Sequence, residues 1–330
     1  MVREAAQRRL GHDGPVVFPI ALGCMGMSGS YGPYDEAESI ATLHAALDAG
    51  VNLLDTGDFY GHGHNELLIR RALEGRRERP MISVKFGALR APDGSWLGFD
   101  ARPAAVKNFC AYSLRRLGVE TIDIYRPARL DPNVPIEDTI GAIADLVRAG
   151  YVRYIGLSEV GVETIRRAHR VHPICDLQIE YSLVSRGPER AIFPVLRELG
   201  IGVTAYGVLS RGLLSGSTPR PGRDMRAQLP RFSGENFEQN RRLVDELVRV
   251  ARHKNVTPTQ LAIAWALAKG PDIVPVIGAR RRAQLNESLG ALAVSLTPDE
   301  LAALEEAVPA HAVKGARYGE QQMQHLDSEH

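Results

Sequence analysis

Three side chains in two short stretches are placed to do chemistry: Asp55 and Tyr60 in "LLDTGDFYG", and Lys85 in "ISVKFG". A free phenol titrates near ~10 and is a poor proton donor at neutral pH. An ammonium beside it favours the phenolate, lowers that pKa and eases proton delivery to a carbonyl oxygen. A carboxylate next to the ammonium keeps it charged and fixes its position. Tyr60 as donor, Lys85 as tuner and Asp55 as anchor therefore make a sensible general acid. The Asp-to-Tyr spacing is weak on its own, since an Asp capping a loop and a Tyr packed on a rim would look the same. It gains weight from the elements that must hold the three groups.

Short apolar, β-branched runs alternate with longer amphipathic stretches along the whole chain. Strands are predicted at 19–23, 52–56, 81–86, 121–126, 152–158, 177–181, 202–208 and 273–279. Helix-like segments lie between them, several ending at a glycine just before the next strand: Gly50, Gly118, Gly150 and Gly200. A glycine in the left-handed region terminates a helix in this way. Eight such units argue for α/β architecture as a (β/α)8 TIM barrel. A Rossmann half is disfavoured because no G-x-G-x-x-G follows the first strand. Two extra helices are predicted before the eighth strand, the second with Thr257 as N-cap and Pro258 at N1. Residues after about 309 are polar and aperiodic and read as a tail over the barrel mouth. One domain over 1–330 is expected, with 1–14 and about 310–330 as peripheral tails.

Catalytic groups of such barrels lie at the C-terminal strand ends and the loops that follow. Asp55 closes the second strand, Tyr60 sits in its loop, and Lys85 ends the third. Ser158 and Glu159 follow the fifth, Gln178 lies on the sixth and Tyr206 on the seventh. After Tyr206 comes a loop of Gly207, Val208, Leu209, Ser210, Arg211, Gly212 and Leu213, whose backbone N–H groups could approach a pyrophosphate. Arg280, Arg281 and Arg282 fall at the start of the last barrel helix, where positive charge opposes the macrodipole. A bound phosphate would explain them; so would a solvated basic turn. "GHGHNE" offers His62, His64 and Glu66, but no further cluster converges with it by motif to make a metal site.

The bulk properties exclude several classes. Of 330 residues, 44% are apolar and 24% charged, ordinary for a globular protein, and the net charge of +1 gives no general argument for nucleic acid or anionic membranes. Three widely spaced cysteines, without a C-x-x-C pair, indicate neither a disulfide framework nor a zinc site. No run is long enough to span a bilayer and the start of the chain lacks an apolar h-region, so a cytoplasmic protein is expected.

Taken together, "LGCMGMSGSYG", "LLDTGDFYGHGHNELLIRRAL", "VKFG", "SLRRLGVETIDIY", "RLDPNVPIEDTIGAI", "AGYVRYIGLSEV", "QIEYSL", "AYGVLSRGLLSG" and "IGARRRAQLNESLGA" resemble the aldo-keto reductase superfamily from about residue 15 to 310. The closest likeness is to the bacterial branch with pyridoxal reductase-like and auxin-induced-type members. This resemblance implies NADPH-dependent reduction of an aldehyde or ketone, possible in reverse, with Tyr60, Lys85 and Asp55 as catalytic residues. It implies Ser158, Glu159 and Gln178 at the nicotinamide carboxamide, Tyr206 stacked on the ring and loop 207–213 at the pyrophosphate. Gly26 and Met27, with Ile277, Gly278, Ala279, Arg280, Gln284, Glu287 and Ser288, complete the implied cofactor site, Arg280 and Gln284 near the adenosine 2′-phosphate. The expected partners are a small carbonyl or alcohol, a pyridoxal-like aldehyde or bulky ring ketone. Trp96 and Phe232 are candidate loop contacts to it, and the protein is expected to be a monomer or weak homo-oligomer.

Two positions depart from the family pattern. Glu159 stands where Asn is usual; it can accept from an amide but cannot donate. Ala128 stands where a histidine is usual, in a frame, "ARLDP", that matches closely. Loss of one preorganised donor costs on the order of 10²–10³ in rate, about 3–4 kcal/mol, a handicap rather than abolition. His62 or His64 is a possible substitute donor. The competing reading is a nicotinamide-binding redox sensor or regulatory subunit with slow turnover.

Overall fold

The computed structural model describes residues 7–29, 31–219 and 224–330. Eight parallel strands close in chain order into a barrel: β1 Ala21–Gly23, β2 Leu53–Gly57, β3 Met81–Phe86, β4 Ile122–Pro127, β5 Val152–Ser158, β6 Ile174–Glu180, β7 Gly202–Tyr206 and β8 Ile273–Gly278. Closure is made by Val276 of β8 pairing with Ala21 of β1. The expected strands are all present. β6 begins three residues earlier than the sequence suggests, because the buried stretch Ile174–Cys175–Asp176 already pairs with β5.

The first six helices return the chain between strands: α1 Glu36–Asp48, α2 His64–Leu73, α3 Pro103–Leu117, α4 Ile136–Arg148, α5 Val162–Val171 and α6 Ile192–Glu198. In α4, Ile136, Ile140 and Ile143 are buried at the i, i+4, i+7 spacing of one helix face. These faces and the outward side chains of the strands form the main apolar core. Gly50, Gly118, Gly150 and Gly200 all have positive φ, as helix-ending glycines should. The inserted pair is α7 Gly234–His253 and α8 Pro258–Ala268, the latter opened by a capping box in which Thr257 and Gln260 satisfy each other's backbone N–H. α9, Arg282–Leu289, and α10, Pro298–Ala307, follow, with the one-turn α11, Glu320–Met323, in the C-terminal tail.

The N-terminal stretch is less peripheral than its polar sequence implies. Arg8–Arg9 pairs antiparallel with Val16–Val17, and Leu10 is fully buried in a second apolar cluster with Leu53, Ile124 and Val274 that plugs the bottom of the barrel. The first six residues of that predicted tail lie outside the described residues.

Inside the barrel, below its mouth, sits a polar layer rather than a purely aliphatic one. Arg126, fully buried, donates to Asp176 Oδ2 at 2.8 Å, Thr204 Oγ1 at 3.2 Å and Ser83 Oγ at 3.0 Å. Such a cation is tolerated only when paired and hydrogen-bonded. Gly156 makes room for it: a Cβ there would lie 2.8 Å from Asp176 Oδ1 and 3.0 Å from the guanidinium carbon.

Candidate active site

Directly above this layer the register of β2, β3 and β6 brings together the groups predicted for catalysis. Lys85 Nζ donates to Asp55 Oδ2 at 2.6 Å and to Gln178 Oε1 at 2.9 Å. Gln178 Nε2 donates to Asp55 Oδ1 at 2.8 Å, closing a ring of three buried side chains. Ser83 Oγ donates to Asp55 Oδ1 at 3.2 Å and links the ring to Arg126. Tyr60, in the turn after β2, packs over the ammonium, with Nζ 5.4 Å from the ring centroid. Asp55, Tyr60 and Lys85 all line one cavity of about 390 Å³ at the barrel mouth.

The electrostatics differ from the expectation. Burial pushes the Tyr60 phenol well above its ordinary pKa, Asp55 adds to the effect, and the positive charge of Arg129 opposes it. Burial likewise lowers Lys85, while Asp55 pulls it back up. Tyr60 is therefore held firmly protonated rather than made more acidic: the ammonium spends its field on Asp55. A neutral phenol is still the state a proton donor must occupy before the reaction.

Most of the expected cofactor residues line the same cavity: Gly26, Ser158, Gln178, Tyr206, Gly207, Val208, Leu209, Arg211, Gly212, Ile277, Gly278, Arg280 and Gln284. The loop after β7 is a backbone cradle, with φ of 66° at Gly207, 46° at Ser210, 54° at Arg211 and 92° at Gly212. The left-handed backbone at Gly212 is one that glycine adopts without strain. Of the three consecutive arginines, Arg280 faces the cavity, whereas Arg282 turns outward to Glu38 at 2.9 Å.

Seven expected residues do not line the cavity. Met27 is a fully buried core side chain, and Ala279 is likewise buried in the main core. Ser210 and Leu213 belong to the cradle but point into the protein; Ser210 Oγ accepts from Arg231 at 3.4 Å. Ser288 donates back to Gln284 O at 2.9 Å within α9, and Glu287 lies on that helix away from the mouth. Glu159 is the most instructive correction. Its carboxylate is fully buried and saturated by Arg317 (2.8 and 2.6 Å), Tyr206 Oη (2.7 Å), Ser328 Oγ (2.6 Å) and the Glu180 N–H (2.8 Å). Rather than facing an amide of a ligand, it docks the C-terminal tail. Gln178, expected at the carboxamide, reaches the cavity but commits both amide atoms to Asp55 and Lys85.

That tail does cover the mouth. Tyr318 Oη lies 2.9 Å from Tyr206 Oη, its ring 4.3 Å from the Arg211 guanidinium, and it lines the cavity with Gln322 and His325. On the far side, the antiparallel pair Ala88–Arg90 and Trp96–Phe99 supplies an aromatic wall, Trp96 and Phe99 meeting edge-on at 4.7 Å. Trp96 is thus placed as expected. Phe232 is not: it is buried behind the cavity, stacked on Phe237. His64 contacts Ser28 and Glu36, and His62 contacts Ala91 O, so neither substitutes for a side chain at 128. Glu66 is buried against Arg116. Sequence reading missed Arg129, Tyr31, Arg226 and Tyr318; only Arg129 had a signal, its place directly after Ala128.

Comparison with known proteins agrees with this geometry. The Aldo/keto reductase family matches residues 19–309. A probable aldo-keto reductase 1 of Glycine max is 41% identical over 317 residues, 94% of this chain and 91% of that one. Among solved structures, a glycerol dehydrogenase of Gluconobacter oxydans superposes with a TM-score of 0.85 at 30% identity, covering 95% of this chain and 98% of the other. The holo form of an aldo-keto reductase of Bacillus halodurans gives 0.78 at 27% identity, covering 97% and 100%. The chain belongs to the aldo/keto reductase family. It is an oxidoreductase of carbonyl compounds on a (β/α)8 barrel.

Proposed function

We propose that this protein uses NADPH to reduce an aldehyde or ketone, with Tyr60 as the proton donor. The observation that carries the reading is the buried Lys85–Asp55–Gln178 ring beneath the Tyr60 phenol, in a cavity that Arg280 and Gln284 also line. The glycine-rich cradle 207–212 fits a pyrophosphate, and Tyr206 offers an aromatic wall beside Ser158. Arg280 favours the form with an extra phosphate, NADPH over NADH. When bound, the nicotinamide supplies the hydride. The chain's own residues do the rest. Tyr60 delivers the proton to the carbonyl oxygen, and the buried Lys85–Asp55 pair forms the fixed polar floor beneath its ring. The Trp96–Phe99 wall shields the site from water and favours an aromatic or bulky carbonyl compound, pyridoxal-like aldehydes among them.

Steady-state NADPH oxidation against a panel of aldehydes and ketones tests this, with Tyr60→Phe as the control. Turnover should fall about 10²–10⁴-fold in the variant. A Tyr60→Phe protein as active as the parent would remove Tyr60 from the mechanism.

A further inference from the structure

Two cations of the cavity wall, Arg129 and Arg90, have no carboxylate within ion-pair distance among the described residues; Arg90 lies over the Trp96 ring, 4.9 Å from its centroid. Lys85 is paired with Asp55, Arg211 with Glu180 at 3.1 Å and Arg226 with Asp224 at 2.6 Å. Arg129 Nη1 donates to Ala128 O at 2.6 Å and, at 3.4 Å, to Ser158 Oγ; its Nη2 donates to Tyr318 Oη at 3.3 Å. A guanidinium has five N–H donors, so its supply is not exhausted by these neutral acceptors.

The carboxylate whose field reaches it, Glu159, is bonded to Arg317 and not to Arg129. Arg129 lies on the Tyr60 side of the cavity: it follows β4, touches Ser158 at the end of β5, and its field acts on the Tyr60 phenol. Arg280, the arginine suited to a phosphate, lines the cavity with the cradle. Ala128, whose N–H is bonded to Phe86 O at 2.8 Å, contributes only a methyl group beside the guanidinium and leaves space over it.

A half-buried cation with free donors and no counter-ion is stable when an anion completes it. The planar fork of a guanidinium matches a carboxylate in two parallel hydrogen bonds. We propose that Arg129 is a specificity-determining residue that selects carbonyl substrates bearing a carboxylate, an oxo acid with an apolar body seated on the Trp96–Phe99 wall. The reaction in this assignment rests on the reductase reading; the carboxylate site does not.

The test uses a matched pair, 4-carboxybenzaldehyde and methyl 4-formylbenzoate, with NADPH at low ionic strength in a carboxylate-free buffer. The parent protein, Arg129→Gln and Arg129→Lys are compared, and benzoate binding is measured by calorimetry in parallel. The acid should be preferred over the ester by about 10- to 100-fold in kcat/KM, chiefly through KM. That preference should collapse in Arg129→Gln and be kept in part by Arg129→Lys. Equal use of acid and ester by the parent, or a preference that Arg129→Gln leaves intact, would overturn the assignment while leaving the reductase reading standing. Should no carbonyl be reduced, benzoate binding decides. Binding lost in Arg129→Gln upholds the carboxylate site and sinks the reductase reading, and binding equal in both proteins overturns the site.

Discussion

Replacing Arg317 with Met removes a cation of similar length without opening a large hole. It deprives the Glu159 carboxylate of two of its five hydrogen bonds and of its only ion-pair partner within 3 Å among the described residues. Breaking a buried pair from one side costs about 3–5 kcal/mol, because the remaining charge stays desolvated. The barrel need not bear that cost, since the tail can lift away and let water reach Glu159. At 1.4 kcal/mol per tenfold, protection of the tail amides should therefore fall by on the order of 10²–10⁴. Hydrogen exchange followed by mass spectrometry reads this directly on peptides covering 317–329. The Ser328 N–H, bonded to Glu159 O, and the Gly161 N–H, bonded to Asp327, report the two sides of the contact.

The same variant has a pH signature. Burial pushes the Glu159 carboxyl up, but the hydrogen bonds and charge of Arg317, with Arg129 and Ser328, pull it down to about 2. A pKa below the unfolded value of about 4.3 contributes docking stability that is present above that value and is lost as the pH falls through the folded pKa. In Arg317→Met the largest downward influence is gone and burial dominates, so the contribution changes sign and docking weakens as the pH rises. The gap between parent and variant should widen from pH 4 to pH 7. Tail peptides that exchange at the same rate in both proteins, or a gap that does not change with pH, would refute the argument that this ion pair holds the tail.

Two further substitutions probe the scaffold. Gly156→Ala puts a methyl group against Asp176 and Arg126 and should destabilise by about 1–3 kcal/mol, read as a lowered Tm and urea midpoint; an unchanged midpoint would mean that the buried ion pair is free to move. Thr257→Ala removes one half of the capping box of α8 and should cost about 1 kcal/mol, visible in urea unfolding and without effect on cofactor affinity.

The barrel was legible because its signals are local and repeated: a strand-length apolar run, an amphipathic stretch, a glycine of positive φ, then the next strand. Asp55, Tyr60 and Lys85 were legible for a related reason, since they fall at strand ends that the barrel must bring to one rim. Contacts between distant segments were not. Nothing near Glu159 announces that its partner is Arg317, and a carboxylate in place of an amide shows only that some cation must answer it. The packing of Leu10 under the barrel floor was hidden by the arginines around it, and Met27 and Ser288 were misplaced because a helical turn divides cavity from core within one residue. The lowered pKa expected for Tyr60 failed on a physical ground: burial outweighs an ammonium already neutralised by Asp55.

The strap from Arg317 to Glu329 reaches Glu159 across more than 150 intervening residues, after the last barrel strand has ended at Gly278. Closing so long a loop is slow compared with forming neighbouring β/α units. Finishing the barrel does not require the strap: every pairing among the eight strands is made within residues 21–278, and Tyr206, at the end of β7, is where the finished barrel and the strap touch.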